Sequence, residues 1–171
     1  MARYLDFENG SESRHEYLNG EILAMTGTSL RHNNIVYNLL RCFDGVRGRC
    51  RPYFENIRVS TPSGLWAYPD VILVCGEPKV VPDVFETITN PVVIAEVLSA
   101  STRRWDSVVK SEHYRSIETL RDYLLIDQYT IDVEHRWLEA GAWKSARYAT
   151  AESEITLTGV PVIISVAAVY Q

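Results

Sequence analysis

The apolar positions of this chain repeat with two different periods. Between Ser29 and Arg47 they fall at Ile35, Val36, Leu39, Leu40 and Phe43. Spacings of three and four put these on one face of a helix that Thr28 or Ser29 can cap and that Gly45 and Gly48 end. Before it, Tyr17-Leu18-Asn19-Gly20-Glu21-Ile22 reads as a hairpin, because Asn-Gly accepts the left-handed conformations of a two-residue turn. After it, Cys50 to Glu55 and Asn56 to Ser60 read as extended, and Pro62-Ser63-Gly64 as a turn. Ala67 to Val74 reads as a strand entered at Pro69, and Lys79 to Asn90 as a loop.

The run Pro91 to Leu98 is apolar and mostly β-branched, the pattern of a strand covered on both faces. Ser101 or Thr102 can cap a second helix reaching about Ser116. Tyr123 to Ile126 is another buried strand, and Ile131–Leu138 with Trp143–Tyr148 form a hairpin around Glu139-Ala140-Gly141. Val162 to Val169 fits either a strand or a short helix capped by Ser165. This order predicts an α/β fold, a mixed sheet flanked by helices with additional β-hairpins. At 171 residues the chain, 1–171, is expected to be one domain.

A 46% hydrophobic fraction excludes wholesale disorder. A formal net charge of −5 argues against a protein that coats nucleic acid by charge alone. The charge is uneven: six arginines and two acids lie between Arg31 and Arg58, either a solvated face or a phosphate-facing patch. Cys42, Cys50 and Cys75 form no C-x-x-C pair, which predicts reduced thiols rather than a disulfide framework or zinc site. Arg3 and Asp6 stand where a signal peptide needs apolar residues, and no apolar run approaches the ~20 residues of a membrane span. A soluble, cytoplasmic protein without membrane attachment is expected.

Glu96 is the sharpest chemical feature, an acid inside the apolar run Ile94 to Leu98. A lone charge there costs several kcal/mol, so the carboxyl must be neutral, paired or bound to a metal. Asp70 opens another apolar strand, as a turn residue or as a second ligand. Two such carboxylates suit a hard cation such as Mg²⁺, which can activate water and neutralise charge on a phosphodiester. Asp106, Lys110 and Tyr114 share one face of the second helix, which starts just after Glu96.

Pro69-Asp70, then Glu96-Val97-Leu98-Ser99-Ala100-Ser101-Thr102, then Asp106, Lys110 and Tyr114 resemble the Uma-type (Uma-two) family of restriction endonucleases, within the PD-(D/E)XK nuclease superfamily. The likeness extends through Glu16 to Ile22, Arg31-His32-Asn33 and Tyr123 to Gln128, most of the chain. It implies a restriction-endonuclease-like core of four to five strands. It also implies that Asp70 and Glu96, with the Val97 carbonyl, are metal ligands. The superfamily lysine two positions after Glu96 is Leu98 here, and Lys110 matches the place to which the family moves it. Lys79 and Lys144, in a loop and a distal hairpin, are poor substitutes, and Ala100 replaces a frequent proline. Glu21 either joins the site or is an exposed turn acid. His32 and Arg31 open the first helix, where anions are favoured, although His32 reads equally as a surface or half-buried histidine. With Tyr114 they are the candidate substrate-binding residues. Asp127 and Gln128 end a strand near the site or simply form a turn.

The expected function is a DNA endonuclease using Mg²⁺ or Mn²⁺, with catalytic Asp70, Glu96, Lys110 and Glu21 and no organic cofactor. A homodimer is expected, because one site cuts one strand and a two-fold pair cuts both. DNA is expected to engage the arginine-rich stretch. The missing lysine at Leu98 supports an alternative, a catalytically inactive nuclease fold that binds DNA or protein. No P-loop, G-x-S-x-G, G-x-G-x-x-G or H-E-x-x-H motif points elsewhere.

Overall fold

The structure, a computed structural model, describes residues 2–25, 27–82 and 86–171. Helix α1 (Ala2–Asn9) leads into a hairpin of β1 (His15–Leu18) and β2 (Glu21–Ala24). Asn19 and Gly20 take φ of 51° and 97°, as the tight turn requires. Helix α2 (Leu30–Cys42) begins at the Ser29 cap, whose Oγ accepts the His32 N–H at 3.1 Å. It stops short of the expected Arg47, continuing only as a 3₁₀ turn over Asp44–Val46.

Strands β3 (Cys50–Phe54) and β4 (Arg58–Ser60) follow. The single strand expected from Ala67 to Val74 is two, β5 (Trp66–Ala67) and β6 (Val71–Cys75), in different sheets. Tyr68-Pro69-Asp70 carries the chain between them, and proline, lacking an N–H, suits a break in a ladder. The expected loop holds two short paired strands, β7 (Val80–Val81) and β8 (Thr87–Ile88), while its positions 83–85 lie outside the described residues. Next come β9 (Val93–Leu98), a helical stretch wound in wide π-type turns (Trp105–Lys110), and the short α3 (Ser111–Tyr114). Strands β10 (Asp122–Asp127), β11 (Val133–Glu139) and β12 (Ala142–Tyr148) complete the main sheet. The C-terminal stretch is strand and then helix: β13 (Glu154–Thr156) pairs with β14 (Ile163–Ser165), and Ser165 caps α4 (Val166–Val169).

The main sheet has the order β12-β11-β10-β9-β6-β3, six strands where four to five were expected. Its β9–β10 pair is parallel and its other pairs are antiparallel. A parallel pair needs a crossover, and the segment carrying Lys110 supplies it. Val71, Leu73, Val93, Ala95 and Val97 pack under α2, whereas Ile72, Ile94, Leu98 and Leu125 face Tyr114, Ile117 and Leu120. Alternation along β9 therefore turns Glu96 toward the crossover. The second sheet, β2-β1-β5-β4-β8-β7, joins that same layer through Val59, Ala67 and Ile88.

The cysteine expectation is corrected at two positions. Cys50 and Cys75 stand directly opposite on β3 and β6 and are joined by a disulfide, with Cα atoms 3.9 Å apart. The Gly76 N–H donates to the Arg49 carbonyl at 3.1 Å, so theirs is a non-hydrogen-bonded pair, the closer of the two antiparallel kinds. Cys42 is a free thiol. No helix among the described residues is long and apolar enough to cross a membrane.

Candidate active site

The antiparallel register sets Val71 opposite Ala95, so Asp70, one residue before β6, falls beside Glu96 and Val97. The Val97 N–H donates to Asp70 Oδ2 at 2.6 Å. His32 Nε2, from the first turn of α2, lies 3.2 Å from Asp70 Oδ1. Asp70 is thus gripped from β9 and from α2 at the end of the sheet.

Glu96 is 2% exposed. Its Oε1 accepts hydrogen bonds from Lys110 Nζ and from the Tyr114 hydroxyl, each at 3.1 Å. Lys110 Nζ also lies 2.9 Å from Asp106 Oδ1, the i, i+4 contact the helix spacing implied, and 2.7 Å from Glu16 Oε1. Glu16 arrives from β1 in the other sheet. The Trp105 indole N–H donates to its second oxygen, and the Tyr68 N–H donates to Oε1 at 3.3 Å. The Tyr123 hydroxyl donates to the Asp106 carbonyl at 2.9 Å, tying the wide helical turn to β10.

Glu16, His32, Asp70, Glu96, Trp105, Asp106 and Lys110 line a cavity of about 640 Å³. Its lining holds five carboxylates (Glu16, Glu21, Asp70, Glu96, Asp106) against Lys110 and His32. Burial pushes the Glu96 carboxyl well above the ordinary range, opposed by Lys110 and reinforced by Asp106, Asp70 and Glu16. Burial also disfavours the Lys110 ammonium, but the surrounding acids outweigh it and hold its pKa well up. Lys110 is therefore held in its charged form by the acids around it. Burial lowers the His32 pKa, but Asp70 more than compensates, so the net shift is upward.

The donor set fits a hard divalent cation. Hard cations take carboxylate and carbonyl oxygens, and Mg²⁺ keeps several of its waters. Asp70 and Glu96 supply carboxylate oxygens. In an extended residue N–H and C=O face the same neighbour, so the Val97 carbonyl shares the Asp70 side. The carboxylate excess supplies the charge such an ion would balance. Among the described residues no three His, Cys, Asp or Glu side chains already converge on one metal position, and an ion held here by Asp70 and Glu96 would need water to complete its shell.

The sequence-predicted residues divide. Asp70, Glu96, Val97, Lys110 and His32 line one cavity. Glu21 is exposed beside the turn, paired in register with Leu18, and reaches only the cavity lining. Tyr114 is fully buried behind Glu96, where it holds that carboxyl and cannot meet a substrate. Arg31 lines a neighbouring cavity instead. Gln128 is buried, with its amide donating to the Leu98 carbonyl at 3.1 Å and accepting from Ser29 Oγ at 2.7 Å. Asp127 forms the turn, accepting the Tyr129 and Thr130 N–H groups at 2.7 and 3.0 Å.

The arginine-rich stretch does not converge on the site either. Arg58 is buried, its guanidinium 5.0 Å from the Trp66 ring centroid and 5.7 Å from that of Tyr4. Arg41 lies nine residues beyond His32 on or beside α2, about 14 Å along the axis. Arg49 and Arg51 flank Cys50, at the end of β3 away from Val71 and hence from Asp70.

Sequence reasoning missed Glu16 as a site residue. Its burial is set by Lys110 and Trp105 from the crossover, and the strand His15–Leu18 has no apolar alternation that marks it.

Comparison with known proteins gives a consistent picture. The chain is 36% identical over 137 residues to the uncharacterized protein sll1609 of Synechocystis sp., covering 78% of this chain and 77% of that one. It is 29% identical over 176 residues to the uncharacterized protein slr1290 of the same organism, covering 98% and 89%. Its fold matches the crystal structure of "a putative nuclease belonging to DUF820" from Anabaena variabilis, with a TM-score of 0.74 and 14% identity over 94% of this chain and 91% of that one. The architecture is therefore that of this nuclease-like fold. The Uma2 family model, described as "Putative restriction endonuclease", matches residues 1–168, and the chain belongs to that family.

Proposed function

We propose that this protein is a metal-dependent DNA endonuclease that hydrolyses phosphodiester bonds in the cavity between β6, β9 and the crossover. The observation that carries this reading is the meeting of Asp70, Glu96 and Lys110, from three separate elements, in one acidic cavity. Asp70, Glu96 and the Val97 carbonyl are the residues that would hold Mg²⁺ or Mn²⁺. When bound, such an ion lowers the pKa of a water and neutralises charge on the reacting phosphate. The Val97 N–H and His32 fix the Asp70 carboxylate, and Tyr114 fixes that of Glu96. Lys110, kept protonated by its neighbours, acts as a positive charge beside Glu96 and not as a base. Glu21 stands at the mouth, where it can order water. Cutting both strands of a duplex calls for two copies, and we place the protein as a two-fold dimer on such a substrate.

The test is cleavage of plasmid, linear duplex and single-stranded DNA with Mg²⁺ or Mn²⁺, alongside calorimetric titration of Mn²⁺. The wild-type protein should cut and bind Mn²⁺, while Asp70→Asn and Glu96→Gln should lose both. Full cleavage by either variant overturns the reading.

One observation favours a second reading. The three N–H donors of Lys110 face three carboxylates, Glu16, Glu96 and Asp106, as in a purely structural ion cluster. On this view the fold is an inactive module that binds DNA or protein, and wild-type protein without cleavage on any substrate selects it.

A further inference from the structure

A second cavity of about 420 Å³ adjoins the first, and the two share the wall formed by Gln128 and Tyr129. That wall is firmly built. Asp127 Oδ1 accepts the N–H groups of Tyr129 and Thr130, while Arg103 pairs with Asp127 Oδ2. The Tyr170 hydroxyl donates to the Asp127 carbonyl at 2.9 Å and accepts the Asp132 N–H at 3.1 Å, bracing the turn from below. Gln128 is locked between β9 and α2. On this fixed ridge Tyr129 stays 58% exposed, and it lines both cavities. The second cavity also presents Arg31 and Asn34, two exposed polar side chains of α2.

We propose that the second cavity is a nucleotide subsite. The base flanking the scissile phosphate stacks on Tyr129, and Arg31 meets the next phosphate. This rests on the endonuclease reading of the first cavity and adds the form of the substrate. An exposed aromatic ring beside a cationic side chain is how proteins hold unpaired strands, because every base offers a π-face. A base seated in a cavity must leave the duplex stack. The strand that crosses from one cavity to the other is therefore single or locally unpaired. Arg31, the residue of the arginine-rich stretch that lines this cavity, supplies a phosphate contact outside the acidic first cavity.

The test uses full-length protein and a short oligodeoxynucleotide carrying 2-aminopurine, offered single-stranded and as a blunt duplex, with anisotropy and 2-aminopurine emission both recorded. Single strand should bind more tightly than duplex, with quenched emission on binding. Tyr129→Ala should weaken binding roughly tenfold and abolish the quenching, whereas Tyr129→Phe retains both. Arg31→Ala should weaken binding and lower the log–log salt slope by roughly one phosphate contact. Unchanged binding and quenching in Tyr129→Ala, or a preference for duplex, overturns the subsite. The endonuclease reading stands if that same protein still cuts DNA. If the wild-type protein neither binds nor cuts any of these DNAs, both fall.

Discussion

Glu16 lies closer to Lys110 than either Asp106 or Glu96 does, at 2.7 Å against 2.9 and 3.1 Å. The lysine therefore ties the first hairpin to the crossover as well as to β9. Lys110→Met would leave three buried carboxylates without their counter-charge, a loss of about 3–5 kcal/mol. The sign with pH follows from the acids. The Glu96 and Asp106 carboxyls, which burial already raises, lose the opposing Lys110 charge in the folded variant and rise further, so it regains stability as pH falls and they take up protons. Urea melts at pH 5 and pH 8 should show the larger deficit at pH 8, and equal stability of variant and wild type at pH 8 would refute the arrangement.

Gly159 has no room for a side chain. A Cβ there would sit 2.7 Å from Val92 Cγ1 and 2.8 Å from Arg121 Cβ. It would also press on the Asp122 carboxylate, which accepts the Gly159 and Thr158 N–H groups at 2.7 and 2.9 Å and pairs with His135 at 2.8 Å. Gly159→Ala should cost about 1–3 kcal/mol by overpacking, read as a lower urea midpoint.

The Cys50–Cys75 bond closes a separation of 25 residues. On the chain-entropy account such a loop contributes about 3–4 kcal/mol. Replacing both cysteines by serine, or adding a reductant, should lower the unfolding free energy by that order. A midpoint unmoved by reductant would count against the bond.

Asp127 supplies an acid-side dependence. Burial works to raise its pKa, but hydrogen bonds from Arg103, Tyr129 and Thr130 win and lower it. A depressed carboxyl contributes stability that is present above its unfolded value near 3.9 and lost as pH falls through the folded value. Asp127→Asn should therefore lie below wild type at neutral pH and lose less on acidification below about pH 4. Parallel acid limbs in the two proteins would contradict this.

What could be read from the sequence follows from how local each signal is. Glu96 stands out because an acid in an apolar run must be explained by its surroundings, and Asp106, Lys110 and Tyr114 are related by helix spacing alone. Glu16 depends on a contact between two sheets that no short-range pattern encodes. Pro69 signals both the entry to a strand and the break between two, and only the pairing of β5 and β6 with different neighbours decides. The disulfide needed the register of β3 against β6, which cysteine spacing does not contain. Arg58 reads as surface charge until Tyr4 and Trp66 are brought over it from other elements.

The parallel pairing of β9 and β10 has a consequence for how such proteins are found. The chain must pass over the face that bears Glu96 on its way from one strand to the next, so two quite different addresses in the sequence open onto the same point in space. An ammonium group can be delivered there from the strand or from the bridge above it. A search for a fixed string of letters sees only Leu98 two positions after Glu96, whereas in space the Lys110 ammonium stands 3.1 Å from the Glu96 carboxyl.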